Sequence, residues 1–114
     1  MILNGRMINP GELRTPVVLG KRMVTTGPGG FQAASFSAET GAWARWQNVH
    51  GAEVWQSAAQ GVSQAATVLI RYWEGLDETW LVEKGGVVYE IVSVDDIQDR
   101  HEFMELKVKR WTEG

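Results

Sequence analysis

The C-terminal part of the chain alternates most regularly. Between Glu102 and Trp111, Met104, Leu106 and Val108 share one face while Glu105, Lys107 and Lys109 share the other, the period of two of a half-buried antiparallel strand. A slip of one residue would bury the charges, so the register is strongly specified. Thr67–Trp73 places Val68, Ile70 and Tyr72 in one row and Thr67, Leu69, Arg71 and Trp73 in the other, a pattern that asks for cover on both faces. Trp80–Lys84 and Val87–Val94 flank Gly85-Gly86, a two-residue hairpin signal, because glycine supplies the positive φ of the favoured tight turns.

The N-terminal half is less regular. Leu13–Thr25 reads as a first strand with Leu13, Thr15, Val17, Leu19 and Met23 on one side, and with Pro16, which cannot donate to a ladder, it either starts at a sheet edge or pairs late. Residues 26–41 break the pattern with Gly, Pro and Ser and read as a long loop, a feature that inside a compact domain is usually functional or disordered. The loop carries Phe31 and Phe36, two large rings that a solvated linker has no use for. Two readings stay open for them: they tuck over the core, or they dock on a neighbouring subunit. Ala42–Val49 resumes as a strand, with Trp43, Arg45, Gln47 and Val49 on one face and Ala44 and Trp46 on the other. Ala52–Gln60 has helical spacing, Trp55 as its anchor, and Gly61 where a C-terminal cap belongs.

The elements sum to a mainly β chain: a small antiparallel β-barrel of about six strands with one short α-helix and a long loop after the first strand. At 114 residues this is one domain, residues 1–114, with 1–10 as an N-terminal arm and 25–41 as the long loop. The absence of cysteine excludes disulfide and thiolate chemistry. No apolar run is long enough to span a bilayer and the start lacks a signal-peptide core, so no membrane association is expected and synthesis is expected in the cytoplasm.

The net charge of −3 argues against a general nucleic-acid binder. The charge is also polarised along the chain. Arg6, Arg14, Lys21 and Arg22 face only Glu12 in the first 38 residues, whereas Glu74–Glu105 holds ten carboxylates, Asp95, Asp96 and Asp99 among them, against Lys84 and Arg100. Such unlike faces suit head-to-tail contact between copies; a solvated acidic rim accounts for the same pattern. The chemistry is thin. His50 and His101 have no metal-ligand spacing, Asp95, Asp96 and Asp99 lack the calcium-loop pattern, and Gly27-Pro28-Gly29-Gly30 lacks the lysine and helix of a phosphate loop. Neither an enzyme nor a cofactor is expected. The six tryptophans, spread over the whole length, read as core or subunit interface before they read as a stacking platform.

The order of elements resembles a family. Asn9-Pro10-Gly11-Glu12-Leu13-Arg14, Trp43-Ala44-Arg45, Ala52-Glu53, Ile70-Arg71-Tyr72, Gly86, Tyr89-Glu90-Ile91 and Leu106-Lys107-Val108 are together similar to the head–tail joining, or head-completion, proteins of long-tailed bacteriophages, over residues 10–111. The resemblance implies a stopper in the virion neck, found also in prophages and gene-transfer agents: a dodecameric or hexameric ring of copies that closes the DNA-filled head. Its partners would be portal or adaptor proteins above and tail terminator or tail tube proteins below, with packaged DNA passing through the lumen during ejection without sequence-specific binding. On this reading Phe31, Gln32 and Phe36 lie at the subunit interface or lumen, and Arg14, Lys21, Arg22, Asp95, Asp96 and Asp99 supply interface charge. Two alternatives are a tail terminator of the same neck and a monomeric small-barrel ligand-binding module with an aromatic face.

Overall fold

The computed structural model describes residues 2–3, 6–7, 9–49 and 65–111. Eight strands are present among them: β1 (Ile2–Leu3), β2 (Arg6–Met7), β3 (Thr15–Thr26), β4 (Gln32–Val49), β5 (Ala65–Arg71), β6 (Trp80–Lys84), β7 (Val87–Asp96) and β8 (Phe103–Arg110). β1 and β2 pair with each other, and the other six close a barrel in the order β3-β4-β5-β8-β7-β6. All pairings are antiparallel, and the pairing of Val18–Lys21 with Trp80–Glu83 completes the circle. The helix expected over Ala52–Gln60 lies outside the described residues.

Alternation sorts the side chains as the pattern required. Met104, Leu106 and Val108 point inward from β8 and pack with Val68 and Ile70 of β5, Val17 and Leu19 of β3, Val82 of β6 and Ile91 of β7. Leu19, Val68, Val82, Leu106 and Val108 lose all contact with water, each worth about 1.5–3 kcal/mol of transfer free energy. Trp46 fills the barrel against Tyr89 in an edge-on contact, ring centroids 4.8 Å apart. The Gly85-Gly86 turn holds both residues at positive φ, 59° and 85°, as a type I′ hairpin demands.

β5 is covered on both faces, which its double apolar row foretold. Leu69 points out of the barrel and is buried under Ile97, Phe103 and Leu13. Leu13 therefore belongs to this outer cluster and does not share a side with Val17. Its segment is held down by a turn at Pro10–Glu12, capped by Asn9 Oδ1 accepting from the Gly11 amide at 2.9 Å, and by Glu12, whose carboxylate lies 3.4 Å from the Arg45 guanidinium. Pro16 sits where β3 has β4 as its sole neighbour, below the β6 ladder, so its missing N–H costs no pairing.

One expectation is overturned. Residues 25–41 are not a long loop: β3 runs on to Thr26, β4 begins at Gln32, and only the Pro28–Gly30 turn separates them. Thr25↔Ala33 through Lys21↔Ser37 are in register, so the stretch is a continuous hairpin. Small residues (Ala33, Ala34, Ser35, Ser37, Ala38) hid it, because a ribbon that buries neither face needs no apolar alternation.

Truncating Leu106 to alanine leaves a cavity at the barrel centre and is expected to cost about 2–5 kcal/mol. A lower urea midpoint at unchanged slope is the expected result.

Candidate functional site

The barrel ladders stop short of the ends of β3 and β4. β6 pairs with β3 only as far as Lys21, and β5 pairs with β4 only from Ala44. Beyond those points the two strands have each other alone and stand off the barrel as an arm. Every residue from Lys21 to Ala33 is exposed, including Met23, Val24 and Phe31, the last 78% accessible. Not one residue from Met23 to Ala38 is charged. At the tip the Gly27 amide donates to the Phe31 carbonyl at 2.6 Å, and Gly29 and Gly30 take φ of 82°. Phe31 and Gln32 thus stand at the tip of the arm, next to its turn.

Phe36 does something different. The register shifts between Leu19 and Gly20, a bulge at the root of the arm, and the Phe36 ring lies across the bare backbone of Gly20. A Cβ at Gly20 would sit 2.4 Å from the Ser37 carbonyl oxygen and 2.5 Å from the ring. Phe36 therefore braces its own hairpin, while Phe31 makes no such contact with the barrel core.

The end of the barrel from which the arm rises also carries the C-termini of β5 and β7 and the N-termini of β6 and β8. Their connections bring Glu74, Asp77, Glu78, Asp95, Asp96, Asp99 and Glu102 to this mouth, against Arg71 and Arg100. Beside them an apolar cleft of about 400 Å³ opens between Pro10, Leu13, Ala42, Tyr72 and two tryptophans, Trp43 and Trp73. Trp43 is 61% and Trp73 41% exposed, exceptional for rings of that size.

The candidate interface charges divide. Lys21 and Arg22 share a shallow groove with Glu78 and Thr79 of the same chain, and each lies over a ring, Lys21 Nζ 4.9 Å from the Trp80 centroid and Arg22 5.5 Å from that of Trp111. The basic and acidic halves of the sequence therefore meet within one molecule at this point. Arg14 is turned inward on its own segment, Nε donating to the Gly11 carbonyl at 2.8 Å. Asp96 accepts from the His101 amide at 3.0 Å and from its ring Nδ1, which leaves Asp95 and Asp99 exposed. The turn between them is forced, with Gln98, Asp99 and His101 at φ of 56°, 53° and 57°. Asp77 holds its turn by accepting from the Thr79 hydroxyl and, at 2.9 Å, the Thr79 amide. Those two bonds, with Lys21 nearby, lower its pKa against a weaker opposing desolvation. Among the described residues no group of three or more His, Cys, Asp or Glu side chains is placed to hold a metal ion.

A family model described as "phage head completion protein" matches residues 8–110. The chain belongs to that family. It is accordingly a structural protein of a phage-type virion. The fold is shared with two solved structures. Protein SF1141 from Shigella flexneri 2a aligns over 94% of this chain and 100% of its own, at 19% identity and a TM-score of 0.63. A chain of the virion of a native gene transfer agent particle aligns over 90% of this chain and 96% of its own, at 14% identity and a TM-score of 0.62. No curated protein sequence matches.

Within this head completion barrel, sequence reasoning singled out Phe31, Gln32 and Phe36 but read them as part of a loop, and it missed the cleft. Pro10, Trp43 and Tyr72 are far apart in sequence, and no local signal joins them.

Two outcomes follow for the arm root and its neighbour. Gly20→Val has to displace either the Phe36 ring or the Ser37 carbonyl, and amides of residues 22–36 are expected to exchange with solvent at least about tenfold faster, an opening cost above roughly 1.4 kcal/mol. For Asp77, a depressed native pKa means that its contribution is present above the unfolded value near 3.9 and fades as pH falls through the native one. NMR titration should find the Asp77 carboxyl below the ordinary aspartate range, and Thr79→Ala should raise it.

Proposed function

We propose that this head completion protein is the stopper of a virion neck: a ring, dodecameric or hexameric, that sits between portal or adaptor and tail, closes the DNA-filled head and docks the tail. The observation that carries the reading is the arm, uncharged from Met23 to Ala38, standing clear of a closed barrel in a chain of this family. A two-stranded ribbon alone is marginally stable in water, and its open edges invite pairing. A long, exposed, uncharged one is expected only where assembly covers it. The barrel supplies a rigid block with unlike surfaces, as the heterologous interfaces of a ring require, and the likeness of its fold to a chain of a gene transfer agent virion supports its use in phage-like particles.

Within the ring the arms would reach a neighbour or the lumen, where uncharged tips let DNA slide without holding its phosphates. Packaged DNA then needs no sequence-specific contact, in keeping with the absence of a basic stripe. Head completion as the family's role favours the stopper over a tail terminator.

Cryo-electron microscopy of particles from a producing strain, with the gene intact and deleted, tests the reading. Ring density below the portal should vanish on deletion and leave tail-less heads that lose DNA, and the intact particles would give the copy number. Normal particles without the gene would overturn it.

A further inference from the structure

Two apolar features of the mouth end fit each other but cannot meet within one chain. Phe31 and Trp43 lie twelve positions apart along one strand and its turn, about 40 Å at ~3.3 Å per residue. While the hairpin is intact, the tip cannot fold back into its own cleft. A second copy has no such restriction.

We propose that the arm of one copy lies across the barrel mouth of the next, with its Phe31 seated between Trp43 and Trp73 in that copy's cleft. The cleft, of about 400 Å³, is lined by Pro10, Leu13 and Tyr72 besides the two indoles, with Arg71 its only charged residue. Its polarity suits an aromatic ring, and its volume has room for one, on a hairpin uncharged from Met23 to Ala38. Charge supports the same pairing. The receiving mouth is rimmed by exposed Glu74, Asp95, Asp99 and Glu102 against Arg71 and Arg100, whereas the incoming arm has no carboxylate before Glu39, with Lys21 and Arg22, each over a ring of its own barrel, at its root. A reversed approach, mouth against mouth, would bring like charges together. Because each copy gives one arm and receives another, the contact is heterologous, the kind that builds a ring when the rotation between neighbours closes. The inference names the subunit interface of the proposed neck ring and rests on that reading for its setting.

The chain has no native cysteine, so thiols can be placed at will. Gln32→Cys marks the arm tip, Glu74→Cys the rim of the cleft, and both positions are exposed. Particles carrying the double variant, treated with a short bis-maleimide, are expected to yield a ladder of linked dimers, trimers and higher species, since every subunit has one tip and one rim. Either single variant should yield monomers. Adding Phe31→Ser to the double variant should cut the ladder about tenfold, the effect of withdrawing one buried phenyl ring, and circular dichroism of each purified variant establishes that the barrel is intact. Microscopy of the same particles separates the two claims. Ring density with no ladder, or dimers from Gln32→Cys alone, which would mean tip meeting tip, overturns the arm-in-cleft contact and leaves the neck reading standing. Absence of any ring overturns both.

Discussion

The ladder between Val18–Lys21 and Trp80–Glu83 is the constraint on which the rest of the molecule depends. It turns an open sheet, with two edges to protect, into a barrel with none. It also decides where the barrel ends on β3. Past Lys21 the strand has no partner but β4, and β4 has no partner but β3 until Ala44, so closing the barrel with a short β6 releases two long strands as an arm. The bulge at Gly20 falls at this transition. There the chain passes from a surface curved by six-fold closure to a free ribbon, and the missing Cβ lets Phe36 cross the backbone and stiffen the root.

Different parts of the same two strands thereby contribute very differently to stability. The barrel buries its apolar residues in one interior cluster and a smaller outer one under Leu13 and Ile97, and takes its rigidity from them. The arm buries almost nothing. From Met23 to Ala38 its strands carry neither charge nor proline, the usual protections of an exposed edge. Such an edge is open to pairing with another strand.

Much of this was legible in the sequence where one face of a strand is buried. Met104, Leu106 and Val108 alternate with Glu105, Lys107 and Lys109, and the register came out as that pattern demanded. Gly85-Gly86 encoded its turn in two residues, and the double row of Val68-Leu69-Ile70 encoded cover on both sides. The arm was illegible for the converse reason. Ala33, Ala34, Ser35 and Ser37 have no core to face, so their strand leaves no periodic trace and the Gly-Pro-Gly-Gly turn reads as the centre of a longer loop. Met23, placed by alternation on the side of Leu19, ends in solvent, because the bulge and the end of the β6 ladder intervene between them. The cleft was hidden more deeply: it exists only because closure brings the Pro10 turn, the root of β4 and the end of β5 to one place.

Charge followed composition but not in the arrangement that the linear sequence implied. A basic first third and an acidic last half seemed to describe two separate faces, yet Lys21 and Arg22 come to rest on Trp80 and Trp111, next to Glu78, on the same side of the barrel. Cations stacked on rings are partly neutralised by quadrupole and carboxylate alike, each contact worth about 0.5–1 kcal/mol at an exposed site. The remaining imbalance is at the mouth, where Asp95 and Asp99 are exposed, Asp99 at a positive φ, while Asp96 is held by His101. Screening in salt reduces long-range attraction between exposed charges over about 8–10 Å. Such a rim therefore sets orientation at short range and adds little affinity of its own, and the energy that holds an assembly together has to come from apolar surface. Among the described residues the large exposed apolar side chains lie at the arm and the cleft, so on the proposed contact orientation and affinity would come from different groups at the same end of the barrel.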